Sequence, residues 1–360
     1  MGNIIRNCHS NGITFKIMRA IRLHRHGGIE ELTFETDVPK PQIGTEDVLV
    51  RVRATSVNRI DFFVRSGYPG IEFQFPHIPG ADIAGEVAQV GSSVKEFVIG
   101  DRVVVWPLIA CGDCEFCTSG RCGLCANWQY FGMHVPGSYA EYVRVPAASL
   151  IKLPDEVSFE DAATLPVAGL TAHHGLKNVA ELKPGQSVLI WGGSGGLGTF
   201  AVQIAKFLRA KVITTVGSDE KRAPVEALGA DLVLNHHTDD VLSAAREFTS
   251  GAGLDVVFDS VGAQTFPIGF QLLKKGGKLL LCGKMTGLDV ELSIHMTYLR
   301  HVSILGLYLG EKEELEELLD WVAQKKIKPV IDQTLSLEQA AEAQRVLAEG
   351  ARIGKVVMLP

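Results

Sequence analysis

The chain has 360 residues, a formal net charge of −6 and 46% hydrophobic residues, which is enough for two packed domains and too apolar for a disordered chain. No basic block is present, so nucleic acid and anionic membranes are poor partners. No apolar run approaches the ~18 residues that a bilayer crossing needs. The first residues lack the compact apolar core of a secretory signal.

In chain order, residues 1–17, including Cys8, show no clear period and read as an extension ahead of a start at Met18. From Met18 to about Pro154, short Val/Ile-rich runs at 47–54, 85–90, 101–106 and 140–145 are separated by Gly, Pro and polar turns. That rhythm predicts a compact barrel or sandwich. At Ser158 the texture turns helical. Ser158 and Asp161 resemble a capping box, and the helical segment continues through His173 and His174.

From Ser187 strands and helices alternate. Strands are predicted at 187–191, 211–216, 231–234, 254–259, 277–282 and 302–309, with helices at 196–208, 219–228, 238–249 and 264–273. Six strands with crossover helices define a doubly wound parallel sheet, an α/β fold. An acidic helix at 311–324 and a second at 337–347 precede a last strand at 355–359, expected to return to the N-terminal β domain. The predicted domains are therefore an extension (1–17), a β domain (18–165 with 310–360, including a cysteine-rich lobe at 109–127) and an α/β domain (166–309), with a ligand cleft between the last two. The apolar run at 302–309 reads as a sheet edge able to pair with its copy, predicting a homodimer or homotetramer.

The most organised stretch is 187–198. An apolar run breaks into Gly193-Ser194-Gly195-Gly196-Leu197-Gly198, which fits G-x-G-x-x-G, and a helix follows. The first glycine permits the tight strand-to-helix turn, the second lets backbone approach a pyrophosphate, and the third lets helix pack on strand. The helix N-terminus offers free N–H groups to the phosphates. About 20 residues on, where NAD-binding folds carry an acid for the ribose, Gly217 and Ser218 stand instead, followed by Asp219, Lys221 and Arg222. The missing acid and the adjacent cations favour NADP(H), with Gly217, Ser218, Lys221 and His236 bordering the adenosine phosphate. Asp219 reads as a cap of the next helix.

Five of the seven cysteines fall between Cys111 and Cys125, which suits metal ligands in a reducing, cytoplasmic compartment better than a disulfide framework. Cys111-x2-Cys114-x2-Cys117-x7-Cys125 supplies four thiolates, a closed tetrahedral shell for one structural Zn2+. Cys122 is a spare or an occasional substitute.

Together these motifs resemble the medium-chain dehydrogenase/reductase superfamily, which includes zinc alcohol dehydrogenases and quinone oxidoreductases. The resemblance covers Met18–Pro360 and implies a Rossmann domain plus a GroES-like β-barrel-type catalytic domain. The cysteine loop is similar to the structural-zinc lobe of alcohol dehydrogenases. Three positions depart from that branch's catalytic zinc ligands. Asn58 stands for the cysteine, Ala81 of Gly80-Ala81-Asp82 for the histidine, and Val167 for the third ligand. Residues 56–67 and 165–172 are similar to the zinc-free quinone oxidoreductases.

The resemblance implies that Asn58 and Asp61 face the cleft, Asn58 donating from its amide and Asp61 orienting neighbours. Thr171 contacts the nicotinamide amide, and Gly283 passes beside the ring. His173 and Tyr130 are the candidates for proton delivery. Without a Lewis acid, hydride transfer favours acceptors that spread negative charge: quinones, enones and aryl ketones. Two other readings stay open. One is a zinc alcohol dehydrogenase with irregular ligands, Asp82 and His173 or His174 among them. The other is a non-enzymatic NADPH-binding structural or regulatory protein.

Overall fold

The computed structural model describes residues 7–10 and 13–360, and it divides into two units, Met1–Val167 with Ile331–Pro360 and Ala168–Val330. Of the N-terminal extension, Asn7–Ser10 and the start of Ile13–Arg22 form an antiparallel pair; the side chain of Cys8 lies outside the described residues.

The first unit is built on the strand Asp47–Ser56, whose valines alternate as a half-buried strand requires. Val48, Val50 and Val52 pack with Ile83, Val103, Val105, Val143 and Leu150 in one apolar core. Ala84–Val90 and Tyr142–Pro146 both pair with this strand, and Arg102–Val105 and Leu150–Lys152 extend the sheet. The final strand, Lys355–Leu359, also joins it, antiparallel, with Val357 opposite Ser56. That pairing carries the first residue of the final strand to the end of Asp47–Ser56, where the chain enters a helix. Arg59–Ser66 is this helix, which the sequence pattern does not announce. Asn58 and Asp61 start it with a reciprocal capping box, each side chain accepting the other's backbone N–H.

The second unit holds a six-stranded sheet in the order Leu232–Asn235, Lys211–Val216, Ser187–Ile190, Leu254–Asp259, Leu273–Leu281 and Ser303–Gly306. All five pairings are parallel. The order runs outward both ways from the first strand, as a doubly wound sheet does. The predicted strands match these to within a few residues.

One boundary needs correction. Residues 310–330, expected in the β domain, belong to the second unit. The helix Lys312–Ala323 buries Leu315, Leu318, Leu319 and Trp321, and its Glu314 and Glu317 meet His174 and Lys177 of that unit. The last strand before it ends at Gly306, and the apolar face of the helix decides which body it joins.

Candidate functional site

At the end of Asp47–Ser56 the first unit gathers a group of polar side chains that are almost wholly shielded from water: Ser56, Asn58, Asp61, Asp82, Tyr139 and Lys355. Buried polar groups must find partners, and here every one does. Asp82 is the hub. Its Oδ2 accepts from Ser56 Oγ, from Asn58 Nδ2 at 2.7 Å and from the Lys355 ammonium at 3.3 Å. Its Oδ1 accepts the backbone N–H of Val167 at 3.0 Å. The Lys355 ammonium donates further to Asn58 Oδ1 at 2.5 Å and to the Val57 carbonyl at 3.0 Å. Asn58's amide orientation follows: its oxygen must meet an ammonium and its nitrogen a carboxylate.

Asp61 Oδ2 accepts from the Asn58 backbone N–H at 2.8 Å and from Tyr139 Oη at 2.9 Å. Burial, reinforced by the Asp82 charge, raises the Asp61 carboxyl to about 7, even though those two donors and Lys355 pull the other way. Burial likewise lowers the Lys355 ammonium, with Asp82 opposing the shift.

The rise at Asp61 has a measurable consequence. A carboxyl whose folded value exceeds its unfolded value of roughly 4 stabilises the fold fully below pH ~4. That contribution fades as pH climbs through about 7. Asp61→Asn, which keeps an acceptor for both donors and cannot ionise, is expected to gain on the parent by about 2–3 kcal/mol between pH 5 and pH 8. Urea midpoints at the two pH values check this; a constant difference contradicts it.

In the second unit the glycine turn has its expected context, a strand to Ile190 and a helix, Gly196–Phe207, entered through Gly195. A Cβ at Gly193 would meet Thr214 Oγ1 at 2.1 Å, and one at Gly198 would meet the Gly192 carbonyl at 2.1 Å. Glycine is therefore demanded here by close packing, leaving Ser194 and Leu197 as the side chains of the turn. Past the second strand, Gly217 is exposed and Ser218 half-exposed, while Lys221 is largely buried. Arg222 is held by Asp219, Asp239 and the Val233 carbonyl at 2.6–2.8 Å. Asp219 is thus a partner of Arg222 and Asn235. Its expected role as a helix cap is corrected: Ser218 holds the N-cap position, and the Asp219 side chain serves this ion pair instead. His236 is exposed, its ring 4.1 Å from that of His237.

Cys111, Cys114, Cys117 and Cys125 bring their sulfurs within 4.8 Å of one another. The Cys111–Cys117, Cys114–Cys117 and Cys111–Cys125 separations are 3.9, 3.5 and 3.4 Å. Tetrahedral zinc with Zn–S of about 2.3 Å sets sulfurs about 3.8 Å apart, so the donor set fits that ion. The Cys111 and Asn127 backbone N–H groups point at Cys125 Sγ. Among the described residues no other group of three or more His, Cys, Asp or Glu side chains is disposed to hold one metal. Cys122 stands outside the group.

The remaining predicted residues are dispersed. Thr171 lies buried in the helix Leu170–His173 of the second unit. His173, in the same helix, is fully enclosed against the Trp321 ring, and neither ring nitrogen makes a hydrogen bond. Glu317 sits 3.1 Å from Nε2, outside hydrogen-bonding alignment. His174 is taken by Glu314. Tyr130 is buried in a two-stranded ribbon with Leu108, beside Trp128. The Asn58 amide, expected to donate a hydrogen bond, donates to Asp82 within the cluster. Gly283 follows the fifth strand, and a Cβ there would meet the Ser260 carbonyl at 1.9 Å, so its lack of a side chain has a local cause. Sequence reasoning misses Lys355 and Tyr139. A lysine opening an otherwise apolar terminal strand, KVVML, is the available signal, because a buried ammonium requires a carboxylate.

This architecture agrees with what known proteins share with the chain. Residues 44–155 match the alcohol dehydrogenase GroES-like domain and residues 196–324 the zinc-binding dehydrogenase domain. An alcohol dehydrogenase of Geobacillus stearothermophilus is 36% identical over 323 residues, 89% of this chain and 94% of that protein. A quinone oxidoreductase of Lama guanicoe is 31% identical, covering 96% and 98%. A crystallised NAD-dependent alcohol dehydrogenase superposes with a TM-score of 0.91 at 38% identity, covering 95% and 100%. The chain belongs to the medium-chain dehydrogenase/reductase superfamily, with alcohol dehydrogenases and quinone oxidoreductases among its relatives. It is an oxidoreductase of a family that uses a nicotinamide cofactor and acts on small molecules. No described helix is long and apolar enough to cross a membrane.

Proposed function

We propose that the protein is an NADPH-dependent reductase of quinones, enones or aryl ketones that works without a catalytic zinc and keeps one structural zinc in its cysteine lobe. The observation that carries this reading is the occupancy of the three positions where alcohol dehydrogenases place catalytic ligands. Asn58 offers a neutral amide already bonded to Lys355 and Asp82, Ala81 offers no donor, and Val167 offers only a backbone N–H spent on Asp82. That donor set does not fit zinc, which wants at least three thiolate, imidazole or carboxylate ligands. An acceptor that delocalises its own charge needs no such ion.

When bound, NADPH supplies the hydride. The chain's part is to hold it: the glycine turn and helix N-terminus take the pyrophosphate, and Ser218 and Lys221 take the ribose phosphate, with His236 beside it. Thr171 and Gly283 are assigned to the nicotinamide, and Asn58 and Asp61 to shaping the substrate side. Arg222, caged by two aspartates, is left out of phosphate recognition. Lys221→Ala is expected to raise KM for NADPH about 10-fold and leave NADH little changed, as loss of one charge-assisted contact of about 1.5 kcal/mol does. Steady-state rates with both reduced nicotinamides against a quinone, enone and ketone panel test the whole reading. No turnover on any acceptor, or a clear preference for NADH, contradicts it.

Just ahead of the edge strand Ser303–Gly306, exposed Leu292, Ile294, Tyr298 and Leu299 share a hollow with Val302, a patch that suits a second copy of the chain. Sedimentation is expected to report at least twice the 38.9 kDa chain mass; a monomer at micromolar concentration contradicts it.

A further inference from the structure

The buried Lys355 has no part in that chemistry. Its side chain is 3% exposed, yet it is a cation, and it lies on Asn58 Oδ1, Asp82 Oδ2 and the Val57 carbonyl. These acceptors belong to segments that carry the first two lost zinc positions, Val57–Asn58 and Ala81–Asp82. Asp82 then reaches the third at Val167 N–H. The three segments that an ion would tie together are therefore tied by a carboxylate, and that carboxylate is neutralised by an ammonium from the last strand.

We propose that Lys355 is the resident cation of this site: it occupies the charge position of a catalytic metal and closes the cluster to divalent ions. It also holds the Asn58 amide with its oxygen inward and its nitrogen on Asp82. The inference rests on the metal-free reading but goes beyond it. Lost ligands alone make a site indifferent to metal, whereas an ammonium among the acceptors repels one, even when a ligand is returned.

The repulsion distinguishes the two. Full-length protein is produced in cobalt-supplemented medium and its cobalt counted by mass spectrometry, with thiolate-to-cobalt absorption as a second readout. The parent is expected to carry one cobalt per chain, in the cysteine lobe. Asn58→Cys returns a thiolate but leaves the ammonium, so it too is expected to carry one. Asn58→Cys with Lys355→Met frees the introduced thiolate together with Asp82 and Asp61, and is expected to carry two, with added charge-transfer absorption. Asn58→Cys with Lys355→Arg keeps a cation and returns to one.

A second cobalt in Asn58→Cys alone, or a single cobalt in folded Asn58→Cys/Lys355→Met, overturns the role of Lys355 and leaves the reductase reading intact. Two cobalts in the parent overturn the metal-free reading itself. Should Lys355→Met variants not fold, Asp82→Asn/Lys355→Met decides. Recovery there shows that the unpaired Asp82 charge was the fault, as the proposal requires. Failure there assigns Lys355 to packing and overturns the proposal.

Discussion

Replacing Asp82 with alanine is expected to cost about 3–5 kcal/mol of stability, the largest effect of any single side chain in the first unit. The reason is the number of groups left behind. Lys355 loses the carboxylate it is bonded to, becoming a buried unpaired cation, while Ser56, Asn58 Nδ2 and Val167 N–H lose their acceptor together. At roughly 2–4 °C per kcal/mol for a domain of this size, the melting temperature should drop by about 6–20 °C. Asp82→Asn is expected to lose less, since an amide oxygen still accepts one of the four donors, but it too leaves the ammonium without a counter-charge. Calorimetry of the two variants checks the order; equal melting temperatures for Asp82→Ala and the parent would mean that the network contributes little.

Removing the metal from the cysteine lobe is expected to have an effect of similar size in a different place. Of residues 111–129 only Cys125 is buried, so this loop has no apolar core to hold it once the sulfurs are released. Structural zinc binds with about 10–16 kcal/mol in small zinc modules, energy that is also folding energy. Cys114→Ser, or a strong chelator, should therefore open the lobe and expose it to protease between Gly112 and Ala126, while the two sheets remain folded. Limited proteolysis with mass spectrometry, read beside the zinc released, is the check. Cleavage elsewhere first, or a lobe that resists protease without zinc, contradicts the assignment.

How far the sequence can be read depends on whether a feature is local. The parallel sheet is legible because each strand announces itself by an apolar run, and the glycine turn because tight packing at Gly193 and Gly198 excludes any side chain. The four sulfurs are legible by spacing along one short loop. The polar cluster is only half legible. Asn58 and Asp61 lie three residues apart and cap one helix, but Asp82, Tyr139 and Lys355 reach them across separations of 24, 78 and 297 residues. Nothing local in the sequence expresses those meetings; Lys355, for one, arrives through the final strand's antiparallel pairing with Asp47–Ser56. The misplaced helix Lys312–Ala323 has the same origin, since its neighbours Leu170 and His174 precede it by some 140 residues. The surroundings of His173 are likewise illegible, because a histidine on a helix looks alike in sequence whatever it packs against; here that is the Trp321 ring, about 150 residues on.

In the proposed chemistry one ion braces a surface loop and none takes part in reduction. Counting zinc in purified, active enzyme tests it most directly. One zinc per chain, with NADPH-dependent quinone or enone reduction at full rate, is the predicted result; a second zinc whose selective removal abolishes turnover while the cysteine lobe stays protease-resistant would contradict it.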